Sequence, residues 1–245
     1  MCVFIRSVRH PKVRKWKKLY SGEDSGSEYF ISNHFRVIKK GQELGLLKEF
    51  VIHEKLLPYN RFEEMDRIWV TGEVADEIGM LTNWFGVLEK PKLAINRFNR
   101  ILLLDNFHSS GELGTLIRSA RCFGFDGILL TGGSVSLWDI SVSRSAQDNL
   151  LALPVVSLPF SDAIRLLREQ QVSLVTIGKR KAVPAEELPL SDRMAILIPG
   201  SGNSYAYLVA ASDIVCDPVL DCVDTAALAQ AASILMYNCR NLRGE

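Results

Sequence analysis

The chain has 245 residues, of which 47% are hydrophobic and 23% charged, and its formal net charge is +1. This balance suits one or two folded domains and excludes a chain that is disordered over most of its length. No stretch reaches the ~18 consecutive apolar residues of a membrane span, so we predict neither a membrane partner nor a secretory signal.

Cysteine and histidine positions speak against metal and disulfide chemistry. The five cysteines form an odd set without a Cys-x-x-Cys pair, which does not fit a disulfide framework or a thiolate zinc site. The four histidines show no shared metal-ligand spacing, so no metal site is predicted. This cysteine usage indicates a reducing compartment, and we expect the protein in the cytoplasm.

The first eighteen residues contain seven cations and no acid. Such a run can bind RNA phosphates without reading the bases. Val13 and Trp16 have helical spacing, so the same residues also fit a helix whose basic side chains are merely solvated. The two interpretations are compatible, and both stay open at this point.

Residues 1–92 carry short, mixed elements that predict a small α/β domain. Helical spacing covers residues 34–47, and Thr71 is a suitable N-cap for a helix that continues to residue 81. The strand-like runs are residues 48–53, 67–70 and 85–88. A charged stretch with a proline, residues 89–100, predicts the linker to the next domain.

Residues 98–245 predict a second α/β domain, because strands and helices alternate there. The strand candidates are residues 101–105, 127–131, 154–158, 172–177, 194–198 and 214–216. The helix candidates are residues 111–123, 139–151, 161–170, 205–210 and 225–242. The strands are almost entirely apolar, which indicates a mostly parallel sheet with helices on both faces. Ligands of such sheets bind beyond the carboxyl ends of the strands, so chemistry is expected in the loops after Asp105, Thr131, Ile198 and Cys216.

The loop after Asp105 leads into a predicted helix. Ser109 and Glu112 have the spacing of a capping box, which would make this segment a helix start only. Arg118 lies two turns into the helix and is by default a surface arginine. Its forked donors also suit a phosphate across a cleft.

Two later loops are rich in glycine. Gly132 and Gly133 suit a sharp turn or a close approach of the backbone to a ligand, and the pattern does not choose between them. Residues 199–204 match neither the dinucleotide fingerprint nor the nucleophile elbow, so neither hydride transfer nor acyl transfer is predicted.

Taken together, these loops resemble the SpoU (TrmH-type) family of RNA ribose 2′-O-methyltransferases, within the SPOUT superfamily. The most specific similarity is residues 120–130, A-R-C-F-G-F-D-G-I-L-L, which lie close to the family's A-x-x-F-G-x-D-G-I-I-L. Residues 112–120 align with the family's N-x-G-x-x-x-R-x-A. Residues 144–154 and 217–227 fall where the family has two later motifs. Residues 34–88 resemble the L30e-like RNA-binding domain that many members carry.

The resemblance implies an L30e-like RNA-binding domain in residues 1–92 and a methyltransferase domain with a C-terminal trefoil knot in residues 98–245. It also implies a homodimer that transfers a methyl group from S-adenosylmethionine to a ribose 2′-hydroxyl of rRNA or tRNA. The residues that it places around the cofactor are Thr131, Gly132, Ile198, Pro199, Gly200, Asp217, Val219, Thr225 and Ala226. It makes Arg118 and Glu112 the catalytic candidates. The candidates for RNA contact are Arg9, Lys12, Arg14, Lys15 and Arg144.

Several positions depart from the family pattern. Glu112 stands where the family has asparagine, and residues 199–204 lack the motif glutamate. The family's serine is Ala146 here, and its last motif asparagine is Ala227, whereas Arg118 is kept. These substitutions leave open a non-catalytic RNA-binding protein of the same fold. An α/β protein with an unrelated nucleotide ligand is a third, weaker alternative.

Overall fold

The computed structural model describes residues 3–24, 26–57, 65–178, 182–189, 191–200, 205–217 and 225–240. The chain forms two compact units. The first consists of residues 1–92 with residues 136–151, and the second of residues 93–135 with residues 152–245. The first junction thus falls inside the stretch 89–100 that the sequence marks as a linker.

The first unit is built on a five-stranded mixed sheet. Its strands are β1 (Val3–Ile5), β2 (Tyr29–Ser32), β3 (Leu47–His53), β4 (Arg67–Val70) and β5 (Trp84–Glu89), in the order β1-β4-β3-β5-β2. Its helices are α1 (Pro11–Ser21), α2 (Phe35–Glu43), α3 (Gly72–Ile78) and α5 (Ile140–Ala146). The short strands β1 and β2 are not predicted from sequence.

Apolar side chains on both faces of this sheet hold the helices. On one face, Val13 and Trp16 of α1 pack with Val74 of α3 over the strands. On the other, Ile38 of α2 packs against the strands, including Phe50. Thr71 is the N-cap of α3, as predicted, and its hydroxyl accepts a hydrogen bond from the Val74 N–H at 3.4 Å.

Residues 136–151 belong to the first unit although they follow a strand of the second. Trp138 packs its ring against Phe30 with centroids 4.8 Å apart. The hydroxyls of Ser143 and Ser32 lie 2.7 Å apart in a buried hydrogen bond. The predicted helix 139–151 is shorter than expected: α5 ends at Ala146, because Gln147 has a left-handed φ of 56° and starts a separate 3-10 turn.

The second unit contains a seven-stranded parallel sheet. Its strands are β6 (Arg100–Asp105), β7 (Gly127–Leu130), β8 (Val155–Ser157), β9 (Ser173–Ile177), β10 (Val183–Pro184), β11 (Met194–Pro199) and β12 (Ile214–Asp217), in the order β10-β12-β9-β11-β6-β7-β8. Its helices are α4 (Ser110–Cys122), α6 (Phe160–Glu169), α7 (Tyr205–Ala211) and α8 (Thr225–Arg240). Six of these strands lie within two residues of their predicted ends, and only the two-residue β10 is not predicted.

Helices cover both faces of this sheet, which confirms the predicted α/β class. Ala163 and Leu167 of α6 and Leu208 of α7 pack on one face. Helices α4 and α8 contact each other, and they also contact β7 and β11 respectively. β6 lies between β11 and β7, and residues 101–104 of this strand are fully buried. Burial on both faces explains why its sequence is apolar without alternation.

Two further predictions concern the C-terminal knot and membrane-spanning helices. The predicted trefoil knot falls in the C-terminal part of the chain, where residues 201–204 and 218–224 lie outside the described residues, so the knot stays a prediction. Within the part of the chain that the structure describes, no helix is both long enough and apolar enough to cross a membrane.

Candidate active site

Three neighbouring strands of the second unit end at the same level. Pro199 at the end of β11 is in register with Asp105 at the end of β6, and Leu104 is in register with Leu130 at the end of β7. The loops after Asp105, Thr131 and Ile198 therefore emerge side by side. Three of the four loops in which the sequence predicts chemistry therefore lie at one edge of the sheet, and their chemistry stays a prediction.

The side chain of Asp105 connects the elements at this edge. It is 3% exposed, and its Oδ1 accepts a hydrogen bond from the hydroxyl of Thr131. Its Oδ2 accepts a second bond from the hydroxyl of Tyr207 on α7. A buried carboxylate needs such donors, because an unpaired charge is costly away from water. The backbone carbonyl of Asp105 accepts a third bond, from the Gly200 N–H at 2.7 Å.

The backbone approaches itself closely at Gly200. A Cβ on this residue would overlap the carbonyl oxygen of Asn106 and would lie 2.7 Å from that of Asp105. Asn106 itself has a left-handed φ of 52°, and its N–H donates to the Thr131 hydroxyl at 3.2 Å. Gly133 has a φ of 84°, and a Cβ there would meet the amide of Asn106. Glycine at 133 thus makes a sharp turn beside Asn106.

The predicted cofactor residues occupy different positions relative to this edge. Thr131 is buried, whereas Gly132 is exposed, and among the described residues no atom beyond its chain neighbours lies within 4 Å of the Cβ position of Gly132. Ile198 is fully buried in the core, so only its backbone is placed to contact a ligand. Pro199 and Gly200 are half-buried at the end of β11.

The remaining predicted cofactor residues lie farther along the chain. Asp217 ends β12, which is separated from β11 by β9, so it lies two strands, or about 10 Å, from Pro199 across the sheet. Val219 is outside the described residues. Thr225 and Ala226 begin α8, and their side chains are likewise outside the described part.

The catalytic candidates lie on α4. Arg118 is exposed and forms no ion pair with any residue that the structure describes, so its guanidinium is available to a ligand. Glu112 is half-buried in the first turn of the helix. The capping-box prediction is wrong for Ser109: this residue is the N-cap, but its side chain makes no capping hydrogen bond, and its carbonyl accepts from the Leu113 N–H instead.

The predicted RNA-contact residues differ in how they are engaged within the first unit. Arg9, Arg14 and Arg144 are exposed. Lys15 is exposed too, and its ammonium lies 4.3 Å from the centroid of the Tyr29 ring.

Lys12 is engaged in a structural contact. Its Nζ lies 2.6 Å from Glu49 Oε1, while Glu49 Oε2 accepts a 2.6 Å hydrogen bond from the buried Trp16 indole. Lys12 therefore helps to attach α1 to β3. Its contact with RNA stays a prediction beside this structural role.

Two residues of this edge were not singled out from sequence. From sequence, Asp105 is predicted only to end an apolar strand. A single carboxylate at that point can itself indicate a functional side chain. Tyr207 carried no signal, because its partner is 102 residues away. Burial raises the pKa of Tyr207 above its usual range, and its hydrogen bond to Asp105 and the negative charge there act in the same direction. Its hydroxyl is therefore a stable donor.

The described histidines and acids form no metal site: no group of three His, Cys, Asp or Glu side chains among these residues could hold an ion. Two histidines instead are the N-caps of helical segments. His10 Nδ1 accepts from the Lys12 N–H at 3.2 Å, and His53 Nδ1 accepts from the Lys55 N–H at 3.0 Å.

Comparison with solved structures shows the fold. An AdoMet-bound rRNA methyltransferase from Sinorhizobium meliloti superposes with a TM-score of 0.80 at 19% identity over 98% of both chains. The SpoU methyltransferase AviRb from Streptomyces viridochromogenes, in complex with AdoMet, gives a TM-score of 0.77 at 19% identity. That match covers 96% of this chain and 99% of the AviRb chain.

Comparison of sequences gives the family. The 23S rRNA (guanosine(2553)-2′-O)-methyltransferase RlmP of Bacillus subtilis is 24% identical, and the match covers 96% of this chain and 98% of that protein. Residues 99–237, more than half of the chain, match the model of the SpoU rRNA methylase family. The chain therefore belongs to the SpoU rRNA methylase family.

Proposed function

We propose that this protein is an RNA methyltransferase that moves a methyl group from S-adenosylmethionine to a ribose 2′-hydroxyl of ribosomal RNA. The observation that carries the proposal is the meeting of three loops at the ends of β6, β7 and β11, within the segment that matches the family. The RlmP relative is named for this reaction on 23S rRNA. Ribosomal RNA is therefore favoured over transfer RNA.

The residues at this edge fit the cofactor. Gly132 is exposed with open space beside it, and Pro199 and Gly200 are half-buried at a point where Gly200 allows two backbones to touch. Such an edge offers peptide N–H and C=O groups to an adenine ring or a ribose. A pocket made mainly of backbone groups tolerates the substitutions at Ala146 and Ala227, because those changes remove side chains only.

We assign to Arg118 the role of gripping the phosphate of the target nucleotide and stabilising the negative charge that develops on the 2′-oxygen. Its planar, permanently charged guanidinium suits both tasks and makes it a poor base. Bound S-adenosylmethionine supplies an electrophilic methyl group next to a positively charged sulfur. Glu112 is assigned to the same site as a positioning group, since it lies less than two turns before Arg118.

The first unit would bind the RNA body. Its exposed cations Arg9, Arg14, Lys15 and Arg144 supply phosphate contacts that do not read sequence. We assign to this unit the RNA-binding role and to the second unit the methyl transfer. The cytoplasm is the proposed compartment, supported by buried free thiols at Cys216 and Cys239.

A homodimer is the proposed assembly. Helix α8 exposes two large apolar side chains, Ile234 at 61% and Tyr237 at 50%. Tyr237 also makes an edge-on contact with Phe123, the half-buried C-cap residue of α4, with ring centroids 6.0 Å apart. Exposed apolar groups on one helix favour burial against a second copy.

The proposal is tested by titrating the purified protein with S-adenosylmethionine in a calorimeter and then assaying methyl transfer to unmodified 23S rRNA. We expect micromolar binding and labelled ribose. Arg118→Ala should lower the transfer rate by roughly 10²-fold or more while cofactor binding stays within about twofold. Arg121→Ala, which changes another exposed arginine of the same helix, is the matched control and should leave both unchanged.

The outcomes separate the alternatives. RNA binding without cofactor binding, even when RNA is added first, would favour the non-catalytic RNA-binding protein. Full activity of Arg118→Ala would overturn the role given to this arginine while leaving the overall function intact.

A further inference from the structure

We propose that Tyr207 is a positioning residue of the candidate active site and acts through the carboxylate of Asp105. The inference rests on the function proposed above, because it concerns the loops that would hold the cofactor. Tyr207 lies on α7, the helix that follows β11, and Asp105 ends the neighbouring strand β6. Their hydrogen bond ties this helix to the end of a central strand.

Asp105 is a buried charge whose orientation depends on its donors. Thr131 donates to Oδ1 and Tyr207 to Oδ2, so each oxygen is held from a different element. Hydrogen bonds to a carboxylate are stronger and more directional than those between neutral groups. Removing the Tyr207 hydroxyl takes away the donor that holds Oδ2 from α7.

A change at Asp105 reaches three loops through short connections. The Thr131 hydroxyl that donates to Asp105 also accepts the Asn106 N–H at 3.2 Å. The carbonyl of Asn106 lies against Gly200, and the Gly200 N–H donates to the Asp105 carbonyl at 2.7 Å. Hydrogen bonds to and beside Asp105 therefore link the loops after β6, β7 and β11. Tyr207 fixes the position of the Asp105 carboxylate.

The ring of Tyr207 is held separately from its hydroxyl. It packs edge-on against Phe160 with centroids 5.1 Å apart and planes at 83°. Phenylalanine at this position keeps that contact, so Tyr207→Phe removes the hydrogen bond and little else. Tyr20 gives a matched control in the first unit, because its hydroxyl also makes one hydrogen bond, accepting from the Leu81 N–H at 2.9 Å.

The experiment compares Tyr207→Phe, Tyr20→Phe and the unchanged protein by calorimetric titration with S-adenosylmethionine and by thermal unfolding. We expect the Kd to rise about tenfold in Tyr207→Phe, because loops that are no longer held by Asp105 must be ordered when the cofactor binds. Tyr20→Phe should keep the Kd and lose less thermal stability than Tyr207→Phe, because its bond is neutral and exposed. In an Asp105→Asn background, Tyr207→Phe should add no further loss, because the tyrosine acts through the aspartate.

Amide hydrogen exchange gives a measurement that does not need the cofactor. The amides of residues 105–107 and 131–134 and of Gly200 should exchange faster in Tyr207→Phe than in Tyr20→Phe or the unchanged protein. Unchanged exchange in these loops, an unchanged Kd, or full additivity with Asp105→Asn would each overturn the positioning role. Failure of the unchanged protein to bind cofactor would instead count against the proposed function, and the exchange data would still decide the role of Tyr207.

Discussion

Gly200 lies so close to the backbone carbonyl of Asn106 that a methyl group on its α-carbon would overlap the carbonyl oxygen. Both partners are backbone, so neither can move away as the end of a side chain can. This contact joins the end of β11 to the end of β6 at the point where the cofactor is proposed to bind.

Gly200→Ala is therefore expected to destabilise the protein and to weaken cofactor binding. Forcing a methyl group into a filled space costs about 1–3 kcal/mol, and here the strain falls on the binding loops themselves. Gly111→Ala is the control, since Gly111 lies in a helix with no atom within 4 Å of its Cβ position. Urea unfolding of both variants checks the prediction, and equal stability of the two would contradict it.

Glu49→Gln is expected to loosen α1 from the sheet of the first unit. Glu49 accepts from the Trp16 indole and the Lys12 ammonium, both at 2.6 Å, and its side chain is only 18% exposed. Replacing the carboxylate by an amide leaves one oxygen for two donors, so we expect a loss of about 1–2 kcal/mol in the free energy of unfolding.

The exposed pair of Lys17 and Glu77 provides the comparison, because its 2.7 Å separation is nearly the same. Glu77→Gln should leave the free energy of unfolding unchanged within error, since exposed ion pairs contribute little. If Glu77→Gln lowers the free energy of unfolding as much as Glu49→Gln does, the stabilisation comes from the charge pair and not from the bond to Trp16.

Much of the second unit could be predicted from sequence because its strands are buried on both faces. A run such as residues 101–104, with four consecutive apolar residues bounded by polar ones, has few alternatives in a chain that alternates strands and helices. The order of those strands cannot be read in the same way, since it depends on crossovers that leave no local periodicity.

The centre of the candidate site could be predicted only in part, because contacts between distant positions leave no local pattern in the sequence. Loops rich in glycine and serine mark strand ends locally, and three of them lie side by side at the edge of the sheet where we propose the site. The bond between Asp105 and Tyr207 joins positions 102 residues apart, so no local pattern contains it. Similarly, no local pattern in residues 136–151 predicts the hydrogen bond between Ser143 and Ser32.

Alkaline pH should destabilise the folded protein through two buried thiols. Burial raises the pKa of Cys216 and of Cys239 to about 11, from the 9.0 of an ordinary thiol. The unfolded chain therefore releases these protons first, so their contribution to stability is complete below pH ~9 and falls as the pH rises towards ~11. Tyr207, whose pKa is also raised, acts in the same direction.

Urea unfolding at pH 8 and pH 10.5 measures this effect. The free energy of unfolding should fall between the two values, and the fall should be smaller in Cys216→Ala/Cys239→Ala, which lacks both thiols. Comparing slopes rather than absolute stabilities removes the cost of the small cavities that alanine leaves. An identical slope in the double variant would mean that other groups cause the alkaline loss.

Ile234→Asp is expected to convert a dimer into monomers. Ile234 is 61% exposed on α8, near Tyr237, and a carboxylate at its position would have to lose its water to enter an apolar interface. Leu81→Asp is the control, because Leu81 is 70% exposed in the first unit and far from α8 in sequence. Sedimentation should show a dimer for the unchanged protein and for Leu81→Asp, and a monomer for Ile234→Asp. A dimer in all three would move the interface away from α8, and a monomeric unchanged protein would mean that the exposed apolar face of this helix has a different partner.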